Sequence, residues 1–127
     1  MIQLDPIIAV NDVEASSKWY EQVFEFSRKH EGENFAVLLS KEHEIQLCLH
    51  KWGEHQHPTM NIRSVTPGNG LILYFRTDDI HKVRNNFHIA GGIVEEEIHL
   101  NLNSLQQEFS IKDPDGYYLT VSEFHEY

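Results

Sequence analysis

The run Phe109-Ser110-Ile111-Lys112-Asp113-Pro114-Asp115-Gly116-Tyr117-Tyr118-Leu119-Thr120-Val121-Ser122-Glu123 reads as strand, tight turn, strand. Pro114 pre-sets φ at the second position of a turn, Asp115 tolerates the turn, and Gly116 supplies a positive φ at low steric cost. On the second arm, alternation assigns Leu119 and Val121 to one face and Tyr118, Thr120 and Ser122 to the other. The opposite end of the chain, Asp5-Pro6-Ile7-Ile8-Ala9-Val10-Asn11-Asp12-Val13, reads as a strand running into a helix.

Between these ends the same order of elements is written twice. Residues 12–24 and 78–89 have helical spacing of apolar residues: Val13, Tyr20 and Phe24 in the first, Ile80, Val83 and Phe87 in the second. Asn11 or Asp12 can cap the first helix, Asp78 or Asp79 the second, and Gly91-Gly92 can stop it. Strands are expected over 2–10, 25–30, 35–40 and 44–50, then over 70–77, 93–98, 107–112 and 118–124. The pair Asp12-Val13 recurs as Asp79-Ile80, each shortly after a strand. The chain therefore reads as one domain, 1–127, of class α+β. It holds two tandem βαβββ modules, about 1–57 and 69–127, joined by a linker at 58–68 that contains Pro58, Pro67 and Gly68.

Together the C-terminal hairpin and the N-terminal strand–helix run resemble the vicinal oxygen chelate superfamily, which includes glyoxalases, bleomycin-resistance proteins and extradiol dioxygenases. The resemblance covers nearly the whole chain. It implies curved mixed sheets around a cleft, usually completed across a homodimer.

Composition narrows the functions. A chain of 127 residues, 40% hydrophobic and 24% charged, is ordinary globular material. A net charge of −10 argues against nucleic acid and anionic membranes, which call for a basic surface. Cys48 is the only cysteine, so neither an intramolecular disulfide nor a cysteine zinc cluster can form. No apolar run is long enough to span a bilayer and no signal peptide is visible, so a cytoplasmic protein is expected.

In Glu44-Ile45-Gln46-Leu47-Cys48-Leu49-His50, alternation sets Ile45, Leu47 and Leu49 against the helix and turns Gln46, Cys48 and His50 the other way. Leu71, Leu73 and Phe75 separate from Ile72, Tyr74 and Arg76 by the same rule. Arg76 could hold a carboxylate or other anion through its planar fork, or pair with Asp78, Asp5 or a neighbouring Glu. The mixture of aromatic and hydrogen-bonding side chains suits an organic ligand. The expected ligand contacts are Gln46, Cys48, His50, Tyr74, Arg76, Tyr118 and Thr120.

Metal-dependent relatives take ligands from four positions, which the resemblance carries onto Asp5, Gln46 or Leu47, Ile72 or Leu71, and Thr120. An alkyl side chain cannot ligate, so no divalent metal and no other cofactor is expected, and Asp5 joins the ligand contacts. His55-Gln56-His57 alternates as some metal sites do, but is read as part of a polar, solvated loop. The Glu95-Glu96-Glu97 run and the scattered histidines read as surface. Cys48 as a nucleophile would need a base such as His50 and an electropositive setting. Trp52 could be a lid.

The leading expectation is a metal-independent small-molecule-binding protein of the bleomycin-resistance-like branch, working by sequestration, with no catalytic residue assigned. The alternative is a glyoxalase-like lyase or isomerase. It would use a non-standard metal site, or acid–base work by His50 with Tyr118.

Overall fold

The computed structural model describes residues 1, 3–29, 32–54, 58–60, 66 and 68–124. The expectations for His30 and for His55-Gln56-His57 lie outside them. The chain divides into two compact units, Met1–Pro67 and Gly68–Tyr127.

Unit 1 contains β1 (Ile7–Val10), α1 (Val13–Phe24), β2 (Ser27–Arg28), β3 (Phe35–Leu39) and β4 (Ile45–Lys51). Its sheet has the order β1-β4-β3-β2, with β1 parallel to β4 and the other pairs antiparallel. A parallel pair cannot be closed by a tight turn, so α1 makes the crossover. The Asp12 side chain accepts a hydrogen bond from the Ala15 backbone N–H at 3.0 Å, capping the helix. The helix lies over β2, β3 and β4. Val13, Tyr20 and Val23 on α1 are buried, as are Ile8, Val10, Ala36, Leu38, Leu47 and Leu49 on the sheet.

Unit 2 repeats the arrangement with β5 (Leu73–Thr77), α2 (Ile80–Ile89), β6 (Glu96–Leu100), β7 (Gln107–Lys112) and β8 (Tyr118–Glu123). The sheet order is β5-β8-β7-β6, and β5 runs parallel to β8. Asp79 caps α2 by accepting from the Lys82 N–H at 3.1 Å, the role Asp12 has in unit 1. The recurring dipeptide therefore marks the same structural position twice. Phe109, Ile111, Leu119 and Val121 are fully buried, with Leu73, Ile80, Val83 and Phe87 beside them in the core.

The hairpin between β7 and β8 forms as its sequence predicts, with an extra anchor. Gly116 N–H bonds to the Asp113 carbonyl at 3.0 Å, closing the turn, and Gly116 has φ +91°. The buried Asp113 carboxylate also accepts from Asp115 N–H at 2.9 Å and Tyr117 N–H at 2.8 Å. The Asp113 side chain thus satisfies donors that the turn would leave unpaired.

Several boundaries differ from expectation. The first strand is shorter, Ile7–Val10, because Leu4 and Asp5 are exposed ahead of it. The sixth strand lies later, at Glu96–Leu100, on the edge of its sheet, where Glu96 pairs with Ser110. Ile45, assigned to the core, is 43% exposed at the start of its strand, next to the irregular register at Leu38/Leu39. Arg84 on α2 grips Glu97 with two hydrogen bonds of 2.8 and 2.9 Å. That fork, helped by the Ile98 N–H, lowers the Glu97 carboxyl to about 2.

Two outcomes follow. Asp113→Ala should lower unfolding stability by about 1–3 kcal/mol in urea titration, because two backbone donors lose their buried acceptor. An unchanged midpoint would show that the turn needs no side-chain anchor. Glu97 is more acidic folded than unfolded, so the unfolded chain binds more protons in acid. Its contribution is therefore present above the ordinary value of 4.5 and is lost as pH falls toward about 2. Glu97→Gln should flatten the stability–pH curve across that window, and an identical acid limb would count against the pair.

Candidate functional site

Each sheet has one face under its helix and one face turned away. On the face turned away in unit 1, strand register aligns Ile7 with Cys48 and Val37, and Ala9 with His50 and Phe35. Cys48 and His50 are buried, at 4% and 3% exposure, and Gln46 is half-buried. The His50 ring meets Phe35 edge-to-face at 6.2 Å between centroids. Its Nδ1 lies 2.8 Å from the Lys51 carbonyl oxygen, an acceptor, so Nδ1 donates there. This face is mostly apolar, with His50 and Gln46 as its polar points.

Burial pushes the Cys48 thiol up from its ordinary value, and the Asp5 carboxylate pushes it further. A nucleophilic cysteine needs the opposite environment. Cys48 is therefore a lining residue of this face. Asp5 is exposed ahead of β1 but near enough to act on Cys48. Trp52 follows β4 in a turn, with its backbone N–H on the Val10 carbonyl at 3.1 Å.

The equivalent face of unit 2 has a different chemistry. One row across the four strands is Tyr74, Thr120, Ser110 and Glu96; the next is Arg76, Ser122, Glu108 and His99. Thr120, Ser110 and Ser122 are buried, and the Thr120 and Ser110 hydroxyls bond to each other at 3.0 Å. Tyr74 is 40% exposed, and Tyr118 is half-buried at the start of β8. The Arg76 guanidinium is exposed and lies over the Phe124 ring, 4.9 Å from its centroid.

The eight anticipated residues are divided between the two units. Asp5, Gln46, Cys48 and His50 belong to unit 1; Tyr74, Arg76, Tyr118 and Thr120 belong to unit 2. Sequence reasoning missed Ser110, Glu108 and His99. The first two were within reach, since Glu108-Phe109-Ser110-Ile111 alternates as β8 does. His99 was not, because the irregular register between Glu96 and His99 breaks the alternation on β6.

Each unit also carries an open groove where its first strand enters the helix. In unit 1 it measures about 940 Å³ and is lined by Asp12, Glu14, Ser17, Lys18, Arg28 and Lys51, among others. In unit 2 it measures about 380 Å³, with Asp79, His81, Gln106 and Glu123 in its wall. None of the eight anticipated residues lines either groove. Arg28 is already committed to Glu14 and to the Gly32 carbonyl.

The duplicated βαβββ fold, each unit offering one sheet face away from its helix, defines the class of protein. The chain belongs to the Glyoxalase/Bleomycin resistance protein/Dioxygenase superfamily, whose family model matches residues 3–121. Solved structures share the fold at low identity. A protein from the mobile metagenome of V. pseudocholerae is 24% identical with TM-score 0.73, over 99% of this chain and 97% of that one. The lactoylglutathione lyase of Agrobacterium tumefaciens is 19% identical with TM-score 0.73, over 96% and 92%. A glyoxalase/bleomycin resistance protein/dioxygenase family enzyme of Burkholderia phytofirmans is 18% identical with TM-score 0.76, over 92% and 94%. No curated protein matches the chain. Among the described residues, no helix is long and apolar enough to cross a membrane.

Native Cys48 should react with a disulfide reagent at neutral pH more slowly than the same thiol in urea-unfolded protein. Equal rates would show that the thiol is neither shielded nor raised.

Proposed function

We propose that this protein binds a small organic molecule, without a metal, on the sheet faces turned away from its helices. The observation that carries this reading is the face of unit 2. Buried hydroxyls of Thr120, Ser110 and Ser122 stand beside the part-exposed ring of Tyr74, on a surface that a merely solvated sheet would fill with Lys and Glu. Such a mixture of apolar surface and a few placed polar groups is how small-molecule sites are built. Membership of the superfamily supports the same reading.

Metal independence rests on donor chemistry. By the resemblance, the four ligand positions of metal-dependent relatives correspond to Asp5, Gln46 or Leu47, Ile72 or Leu71 (which is equally without a donor atom), and Thr120. Ile72 has no donor atom, and the Thr120 hydroxyl is bonded to Ser110. A divalent ion needs several oxygen or nitrogen ligands, so this set does not fit one. The protein's action is then sequestration: the ligand is held by ring faces and hydroxyls and is released unchanged.

A thermal-shift screen of metabolites and antibiotics tests this on chelator-dialysed protein. A true ligand at a hundred times its Kd stabilises by about 2.7 kcal/mol, a rise of several degrees in Tm. Tyr74→Ala and Thr120→Val should weaken that rise while the variants still melt cooperatively. A rise that disappears on chelation and returns with zinc, nickel or manganese would overturn metal independence and favour the lyase or isomerase.

A further inference from the structure

We infer that Asn69 is a self-modifying position: its side chain condenses with the Gly70 backbone nitrogen and then opens to aspartate or isoaspartate, with water as the only co-reactant. Asn69 and Gly70 are the exposed middle residues of a turn over 68–71, closed by the Leu71 N–H on the Gly68 carbonyl at 2.8 Å. The turn lies just ahead of β5. Three observations meet there. Gly70 has no side chain to shield its nitrogen, and a Cβ placed on it would meet nothing within 4 Å. Among the described residues, the Gly70 N–H donates to no acceptor. No hydrogen bond holds the Asn69 carboxamide among those residues either.

Other pairs in the chain show the contrast. The Asn101 carboxamide is tied down: Nδ2 donates to Glu108 at 2.9 Å, and Oδ1 accepts from the Asn103 N–H at 2.8 Å. The nitrogen after Asn103 belongs to Ser104 and donates to Asn101 Oδ1 at 3.2 Å. Asn85 and Asn86 lie inside α2, where the following N–H groups belong to the helix ladder. In the aspartyl pair Asp115-Gly116, the Gly116 N–H is held on the Asp113 carbonyl at 3.0 Å.

Once the Gly70 nitrogen gives up its proton, it attacks Asn69 Cγ. The new N–Cγ bond closes an imide ring, the Cγ–Nδ2 bond breaks, and Nδ2 leaves with the proton as ammonia. Water then opens the ring. Attack at Cγ restores the chain with aspartate. Attack at the Asn69 backbone carbonyl leaves the chain running through the side chain, as isoaspartate. Either product adds one negative charge to the chain's −10. Isoaspartate also lengthens the backbone by one carbon inside the turn that leads into the strand of Tyr74 and Arg76.

Trypsin isolates the position in the peptide Ser64–Arg76, where Asn69 is the only asparagine. The folded full chain is aged in mildly alkaline buffer at physiological temperature, digested and weighed by mass spectrometry, with a zero-time digest to subtract conversion during work-up. The Ser64–Arg76 peptide should gain about 1 Da and separate into two product forms on chromatography. Its conversion should run at least about tenfold faster than that of the peptide Asn85–Lys112, which holds four asparagines, none followed by glycine. Asn69→Gln, whose longer side chain would have to close a larger ring, should abolish the gain. The comparison of the two wild-type peptides stands even where that variant fails to fold. An unchanged Ser64–Arg76 peptide overturns the inference. So does equal conversion of the two peptides, or a mass gain at Ser64–Arg76 that persists in Asn69→Gln.

Discussion

In both units the first strand pairs in parallel with the last, and the remaining architecture depends on that pairing. Parallel strands need a crossover, and the crossover here is the helix. Once β1 lies beside β4, α1 has one sheet face to cover, and Ile8, Val10, Leu47 and Leu49 become its floor. The same holds for β5 beside β8, with Leu73, Leu119 and Val121 under α2. The two aspartate caps, Asp12 and Asp79, start each helix directly after the strand. Pairing of the two ends of each module therefore decides which side of every strand is core and which side is left for other work.

The faces left over have diverged. In unit 1, the side away from the helix carries Ile7, Ala9, Phe35, Val37 and Cys48, with His50 tied to its own strand. In unit 2, the corresponding positions carry Tyr74, Arg76, Thr120 and Ser122, and β7 adds Ser110 and Glu108. Where unit 1 has the thiol of Cys48 beside Ile7, unit 2 has the hydroxyl of Thr120 beside Tyr74. One unit offers apolar area and the other offers hydrogen bonds. The two faces can differ in this way because both copies keep an apolar core on the helix side.

Much of this was readable from local pattern. The hairpin at Asp113–Gly116, both helices, both caps and the duplicated order follow from turn chemistry and periodicity, which act over a few neighbouring residues. The alternation in β8 placed Tyr118, Thr120 and Ser122 correctly because a regular strand has a fixed two-residue repeat. It failed at Ile45, and could not be applied at His99, because β-strand irregularities shift the phase without a local signal. The Asp113 carboxylate was legible as a turn residue but not as a buried anchor for two backbone donors.

By itself, then, the sequence determined the family fold, the absence of an intramolecular disulfide, and the side of each regular strand that meets a helix. These follow from short-range sterics and the repeat of apolar residues. Only the tertiary structure decided that Glu97 belongs to Arg84, that Arg76 rests on Phe124, and that Glu108 keeps one oxygen buried and, among the described residues, unpaired. Each of these depends on strands or helices distant along the chain meeting in a particular register. Hydrogen bonds and charge contacts are set by separations of a few ångströms, which no local pattern encodes.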